Sequence, residues 1–298
     1  MEEMPTELSG APAARTFSIG GSLTVSRLGF GAMRLAEGTG PSSESLIWSG
    51  PDDPENAQAV LRRAVELGVD LIDTADSYGV GANEKLIASA LFPYRAGTVL
   101  STKTGIVRPS PHEWIPLGRP EYLKQQAELS LRRLRKDHLD LLFLHRIDPH
   151  VPLAEQIGAL GELREEGKVR HIGLSEVTIE ELGEAARSAP IAAVQSRYNV
   201  ADRDNESVVE YCAARGIAFL AYFPLAIGTH AGSTGPLAEI AYETGATPGQ
   251  VALAWLLHRS PNILPIPGTR SLAHLEENQG AADVRLTPDQ IARLAKAV

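Results

Sequence analysis

Val69-Asp70-Leu71-Ile72-Asp73-Thr74-Ala75-Asp76-Ser77-Tyr78-Gly79 follows directly on Gly68 and decides how the chain is read. Val69 to Ile72 form an apolar run too short for a helix, and Gly68 is the residue type that ends one, so the run predicts a buried strand. Asp73 then falls at the C-terminal end of that strand and Tyr78 in the loop beyond it. Upstream, Ala57, Val60, Leu61, Ala64 and Val65 recur at helical spacing. Helix, glycine stop and short strand make a unit, and the unit repeats. Leu153, Ile157, Leu160 and Leu163 lead to Gly167 and the strand Val169 to Ile172; a stop at Gly216 precedes the strand Ile217 to Ala221. Leu28 to Ala32, Thr98 to Thr102, His138 to Leu144, Ala192 to Gln195 and Ile263 to Ile266 bring the strands to eight, with helical patterns such as Leu123, Ala127, Leu131 and Leu134 between them. Eight short strands alternating with helices predict an α/β chain folded as a (β/α)8 TIM barrel rather than an open doubly wound sheet. No G-x-G-x-x-G fingerprint opens a helix after the first strand; Gly29-Phe30-Gly31-Ala32 matches it only in part.

Outward from that repeat, Thr16 to Ile19 and Leu23 to Val25 flank Gly20-Gly21-Ser22 and predict an N-terminal β-hairpin. Residues 1–15, rich in Ala, Pro, Glu and Ser, read as a disordered tail, leaving 16–298 as a single barrel domain. A formal net charge of −9, with no basic stripe to neutralise phosphates, argues against nucleic acid as a partner. Cys212 is the lone cysteine, which excludes an intramolecular disulfide and a cysteine metal cluster and fits a reducing compartment. No apolar run approaches the ~18 residues of a transmembrane helix. Met1-Glu2-Glu3-Met4 lacks the basic flank and apolar core of a signal peptide. A cytoplasmic location without a membrane partner is the expectation.

In a barrel of this kind chemistry sits at the C-terminal ends of the strands. Those ends carry Asp73 with Tyr78, then Lys103, then His145. A lone strand-end Asp, Lys or His is more often a capped turn or a solvated rim residue; four such groups at successive strand ends of one mouth suit a proton-transfer site. A free phenol titrates near ~10, and an ammonium beside it favours the phenolate and eases release of the proton. Lys103 is the candidate ammonium and Asp73 its partner, with His145 as a further hydrogen-bond donor. No metal is expected, because His145 has no partner at ligand spacing.

From the hairpin to the C-terminus the chain resembles the aldo-keto reductase superfamily. The motifs that carry the resemblance are Leu28-Gly29-Phe30-Gly31, Asp73-Thr74-Ala75-Asp76-Ser77-Tyr78-Gly79 followed by Asn83-Glu84, Ser101-Thr102-Lys103, Leu144-His145-Arg146, Gly173-Leu174-Ser175, Val194-Gln195, Ala221-Tyr222-Phe223-Pro224-Leu225 and Ile266-Pro267-Gly268-Thr269 with Glu277-Asn278. The resemblance implies reduction of an aldehyde or ketone by hydride from NADPH, with NADH less favoured, through Asp73, Tyr78, Lys103 and His145. It implies cofactor contacts at Gly31, Met33, Ser175, Gln195, Tyr222, Pro224, Leu225, Gly228, Gly268, Thr269, Arg270, Glu277 and Asn278. Ser175 and Gln195 would hold the nicotinamide carboxamide and Tyr222 would stack on its ring. Arg270 would meet the adenosine 2′-phosphate, because many relatives have Lys where this chain has Gly268 and Arg where it has His274. Ser175-Glu176 departs from the more frequent Ser-Asn.

Substrate choice is expected in two long loops, Leu35 to Asp53 with Trp48 and Gly105 to Pro120 with Trp114. Either tryptophan could form an apolar substrate wall or pin its own loop, whereas Trp255 sits in an apolar helix and reads as core. Within the superfamily the chain is similar to a bacterial branch that includes pyridoxal reductases, so pyridoxal or another aromatic aldehyde is the substrate expectation. Two rivals stay open: a nicotinamide-binding redox-sensing subunit with little turnover, and a barrel lyase using Lys103 for a Schiff base.

Overall fold

The structure, a computed structural model, describes residues 14–37, 47–225 and 235–296. Residues 1–13 of the expected tail, and the expected cofactor contact Gly228, lie outside the described residues.

Strands β1 (Thr16–Ile19) and β2 (Leu23–Ser26) pair antiparallel, with Phe17 opposite Val25, through a turn in which Gly20 and Gly21 take positive φ. After them come β3 (Phe30–Gly31), α1 (Pro54–Glu66), β4 (Leu71–Asp73), α2 (Ala82–Leu91) and β5 (Val99–Thr104). Next follow β6 (Ile106–Val107), β7 (Ile115–Pro116), α3 (Pro120–Leu134), β8 (Leu139–Leu144), α4 (Leu153–Glu165), β9 (Val169–Ser175), α5 (Ile179–Ala185), β10 (Ile191–Arg197), α6 (Glu206–Ala213) and β11 (Ala218–Tyr222). The chain continues through α7 (Pro236–Thr244), α8 (Pro248–Arg259), β12 (Ile263–Pro265), α9 (Leu272–Gly280) and α10 (Pro288–Lys296).

Eight strands form one parallel sheet in the order β12-β11-β10-β9-β8-β5-β4-β3. Its two ends meet: Gly29 N donates to Pro265 O at 3.0 Å and Gly31 N to Pro267 O at 3.2 Å, closing the sheet into a (β/α)8 barrel. Close approach at this seam requires glycine, since a Cβ on Gly31 would lie 2.7 Å from Ile266 O. The expected helix stops are present, with Gly68, Gly167 and Gly216 at φ of +92°, +76° and +66°. At the other end of α1, Asp53 accepts a hydrogen bond from Asn56 N and proline fills the first helical turn.

Alternation along the strands sorts side chains into two cores. Ile72, Leu100, Leu142 and Leu144 face the surrounding helices, together with Trp255 and Tyr198, whose rings stack at 5.9 Å. Leu71, Val99, Leu141, Phe143, Ala193, Ala218, Leu220 and Leu264 fill the barrel, and Ile19, Leu23 and Val25 of the hairpin plug its N-terminal end. Asp70 fastens that plug, its carboxylate accepting from Ser26 N at 2.8 Å and from Ser26 Oγ at 3.1 Å. Trp255 is buried, as its helix predicts.

Two sequence expectations are refined. Strand β5 runs on past Thr102 to Thr104, and β9, β10 and β11 likewise extend to Ser175, Arg197 and Tyr222. Polar residues at the barrel mouth therefore lie in strands rather than after them, because neighbouring strands supply ladder partners that a local apolar count does not register. Within the loop expected at 105–120, β6 and β7 form a short antiparallel ribbon.

Candidate active site

The alternation that fills the barrel with apolar groups also delivers its last layer. Asp73 is two residues beyond Leu71, Lys103 four beyond Val99, His145 two beyond Phe143, Gln195 two beyond Ala193 and Tyr222 two beyond Leu220, so all continue the inward-facing phase. Backbone bonds carry the ladder past the strand ends: Thr74 N donates to Ser101 O at 2.9 Å and His145 N to Thr104 O at 2.7 Å.

Lys103 Nζ donates to Asp73 Oδ2 at 2.6 Å and to Thr74 O at 2.7 Å, with both side chains of the ion pair almost wholly buried. Its remaining N–H is available to Tyr78, whose ring centroid lies 5.0 Å from Nζ. Asp73 Oδ1 accepts from Ser101 Oγ at 2.6 Å and from Gln195 Nε2 at 2.9 Å. The carboxylate, on β4, is thus held from two other strands, β5 and β10. Tyr78 stands edge-on to His145 at 5.9 Å and to Trp114 at 6.4 Å. Ser77 Oγ lies 3.3 Å from His145 Nδ1.

Burial raises the Tyr78 phenol above its ordinary value; the Lys103 charge works the other way without cancelling it. Lys103 thus acts in the expected direction, toward the phenolate, but burial outweighs it and the phenol keeps its proton at neutral pH. For Lys103 burial favours the neutral amine, but Asp73 and Tyr78 outweigh it and hold the ammonium above the usual lysine range. His145 is pushed well below 6.5 by burial, then by Lys103 and Arg146, so its imidazole is neutral at physiological pH. Behind these groups Asp76 is buried and, among the described residues, neither of its carboxyl oxygens has a partner at hydrogen-bond geometry; burial and then Glu84 push its pKa well up.

The mouth opens into a cavity of about 610 Å³. Asp73, Tyr78 and His145 line it, as do Gly31, Met33, Ser175, Gln195, Tyr222, Pro224, Leu225 and Gly268 among the expected cofactor contacts, and Trp114 of the two loop tryptophans. Lys103 lies beneath the wall. Trp48 does not reach the cavity: the Arg108 guanidinium is packed between it and Trp114, 5.5 and 3.6 Å from the two rings, and bonds to Ile47 O, Pro111 O and Glu113 O. Trp114 therefore forms wall while Trp48 pins loops, a division that depends on Arg108, which sequence reasoning missed.

Thr269, Arg270, Glu277 and Asn278 sit apart from the cavity, around the start and middle of α9. Arg270 Nη1 donates to Glu37 O at 3.2 Å, Thr269 Oγ1 accepts from Ser271 N at 3.0 Å, and Glu277 accepts from Thr247 Oγ1 at 2.5 Å. Next to Gly268 the cationic side chain is Arg34, whose Cγ lies 3.5 Å from where a Gly268 Cβ would be. Glu176, at the departure from Ser-Asn, is not among the residues that line the cavity; it accepts from Arg197 N at 3.0 Å. Arg34, Arg146 and Arg197 line the cavity and were not singled out in the sequence. The only local signal was Arg146 directly following His145.

A closed (β/α)8 barrel with a buried Asp–Lys pair, a phenol and a neutral imidazole at its C-terminal mouth defines a class of barrel enzyme built for proton transfer beside a deep cavity. The family model of the aldo/keto reductases matches residues 27–298, and the chain belongs to the aldo/keto reductase family. It is an oxidoreductase. An uncharacterised oxidoreductase of Schizosaccharomyces pombe is 44% identical over 274 residues, covering 92% of this chain and 87% of that protein. Pyridoxine 4-dehydrogenase of Escherichia coli is 41% identical over 288 residues, covering 95% and 98%, which supports the pyridoxal reductase-like branch. The crystal structure of an aldo-keto reductase from Klebsiella pneumoniae in complex with NADPH superposes with a TM-score of 0.79 at 28% identity, covering 94% of this chain and 93% of that one.

Proposed function

We propose that this chain is an NADPH-dependent carbonyl reductase that converts an aldehyde or ketone to an alcohol, with pyridoxal or another aromatic aldehyde as substrate. The observation that carries the reading is the buried Asp73–Lys103 pair in contact with Tyr78 beneath the cavity, with neutral His145 beside it.

The cavity fits a nicotinamide cofactor by its donor set. Gln195 spends its Nε2 on Asp73, leaving its amide oxygen for a carboxamide N–H, while Ser175 offers a hydroxyl and Tyr222 a ring on the same wall. When bound, the cofactor supplies hydride. NADPH rather than NADH is favoured by the Klebsiella complex, with Arg34 and Arg270 as the cations nearest Gly268 and α9.

Tyr78 is the general acid. Its phenol is protonated at rest, and negative charge growing on the carbonyl oxygen draws that proton across. The Lys103 ammonium then stabilises the phenolate, and Asp73, itself held by Ser101 and Gln195, fixes the ammonium. In the tautomer whose Nδ1 accepts from Ser77 Oγ, 3.3 Å away, His145 carries its proton on Nε2 and donates it to orient the carbonyl. A Schiff-base role for Lys103 is disfavoured because the amine is held charged.

The test is titration with NADPH and NADH, followed by oxidation of the tighter one with pyridoxal and a panel of aromatic aldehydes. Tight NADPH binding with turnover is expected. Binding without turnover on any carbonyl returns the redox-sensing alternative, and no binding of either overturns the reading.

A further inference from the structure

The chain carries a net charge of −9, yet three guanidinium groups and a single carboxylate line its cavity, and that carboxylate, Asp73, is neutralised by Lys103. Arg34 pairs with Glu37 at 3.2 Å and Arg197 with Asp202 at 3.7 Å. Among the described residues Arg146 meets no carboxylate within 4.0 Å. Both of its hydrogen bonds leave from Nη1, to His145 O at 2.6 Å and to Ser175 Oγ at 3.0 Å, so the Nε and Nη2 edge of the guanidinium remains open.

We propose that Arg146 binds an ionised oxygen carried beside the reacting carbonyl, so that, on the carbonyl-reductase reading of this cavity, the preferred substrates are aromatic aldehydes with an ionised ortho-hydroxyl. A half-buried, uncompensated cation with an open planar edge is a site for one negative charge. Its place narrows the geometry, for it follows His145 in sequence and is anchored on His145 O. With the carbonyl oxygen at Tyr78 and His145, the substituent with the shortest reach to a guanidinium lining the same cavity is the one on the adjacent ring carbon. Trp114 and Met33 give the same cavity an aromatic and apolar lining that suits a flat ring. The influence of Arg146 on the titration of Tyr78, His145 and Tyr222 shows that its charge is felt across the mouth.

The test compares kcat/KM with NADPH for 2-hydroxybenzaldehyde and 2-methoxybenzaldehyde in wild type, Arg146→Met and Arg146→Lys. In wild type the ratio rises with pH as the hydroxyl ionises. Arg146→Met lowers the ratio roughly 10- to 100-fold, the worth of a charge-assisted hydrogen bond, while 2-methoxybenzaldehyde changes by less than about threefold. Arg146→Lys keeps the charge without the fork and recovers part of the ratio. An unchanged ratio, or equal loss on both aldehydes with weakened NADPH binding, overturns the proposal and leaves Arg146 as a support for Ser175. A second arm needs no turnover: calorimetric binding of 2-nitrophenolate, whose nitro oxygen mimics the carbonyl, with and without NADP+. At least ~10-fold weaker binding to Arg146→Met is expected, and equal affinity refutes the assignment. Should wild type reduce no aldehyde, the reductase reading fails while this arm still decides the role of Arg146.

Discussion

Replacing Asp73 with Asn tests whether the ion pair beneath the cavity is structural as well as chemical. Asn keeps an oxygen for Ser101 Oγ but presents an N–H₂ or an uncharged oxygen to Lys103 Nζ, which lies 2.6 Å from the carboxylate and is 1% exposed. An ammonium stripped of its counter-charge in such a place costs about 3–5 kcal/mol. At the lower slopes that suit a long chain this is roughly 6–15 °C in Tm. The cost also has a pH signature. In wild type the folded Lys103 pKa is raised, so its contribution is present below the unfolded lysine value and is lost as pH rises through the folded one. In Asp73→Asn the burial contribution is no longer opposed by Asp73 and the folded pKa moves down. The unfolded chain then binds the extra proton, and stability rises with pH. The double variant Asp73→Leu with Lys103→Met, which removes both charges, returns to within about 2 kcal/mol of wild type while remaining inactive. Urea denaturation of the three proteins at pH 6, 7.5 and 9, with turnover measured alongside, is the assay. A loss below about 1 kcal/mol in Asp73→Asn, or a double variant as unstable as the sum of its singles, would refute the reasoning.

Other outcomes follow from the same geometry. Tyr78→Phe lowers kcat by about 10²–10⁴ and leaves the NADPH affinity within about threefold, since the hydroxyl is the proton source; fluorescence titration alongside steady-state rates reads both. Arg108→Ala frees Trp114 and Trp48 from the shared guanidinium and raises KM for aromatic aldehydes roughly tenfold, with a smaller change in kcat. An unchanged KM places the substrate wall elsewhere. Asp76→Asn gains stability relative to wild type as pH rises from 4 towards neutrality. The buried carboxyl prefers its proton while the unfolded one releases it near 3.8, so ionisation opposes folding across that window. Matched thermal melts at pH 4, 5.5 and 7 decide the sign.

The sequence by itself determined the frame. Apolar runs bounded by Gly68, Gly167 and Gly216 specify strands after helices, and eight of them leave closure as the architecture in which every strand is covered. Asp73 and Lys103 are legible as the polar residues at the ends of two predicted strands, Val69 to Ile72 and Thr98 to Thr102. Tyr78 and His145 follow from their places beyond strand ends. The tertiary structure decided everything that depends on which strands are neighbours. The bond from Gln195 Nε2 to Asp73 joins residues 122 apart, and no local pattern encodes it. The sign of the Tyr78 shift depends on how much of the phenol is buried as well as on the lysine beside it. Trp48 and Trp114 look equivalent in sequence and part company through Arg108, which the ribbon of β6 and β7 carries into the loops. Arg146 is one residue among many arginines until the barrel closes and leaves it facing the cavity with an open edge. Strand type is set by neighbours along the chain, whereas charge, burial and hydrogen-bond partnership are set by neighbours in space.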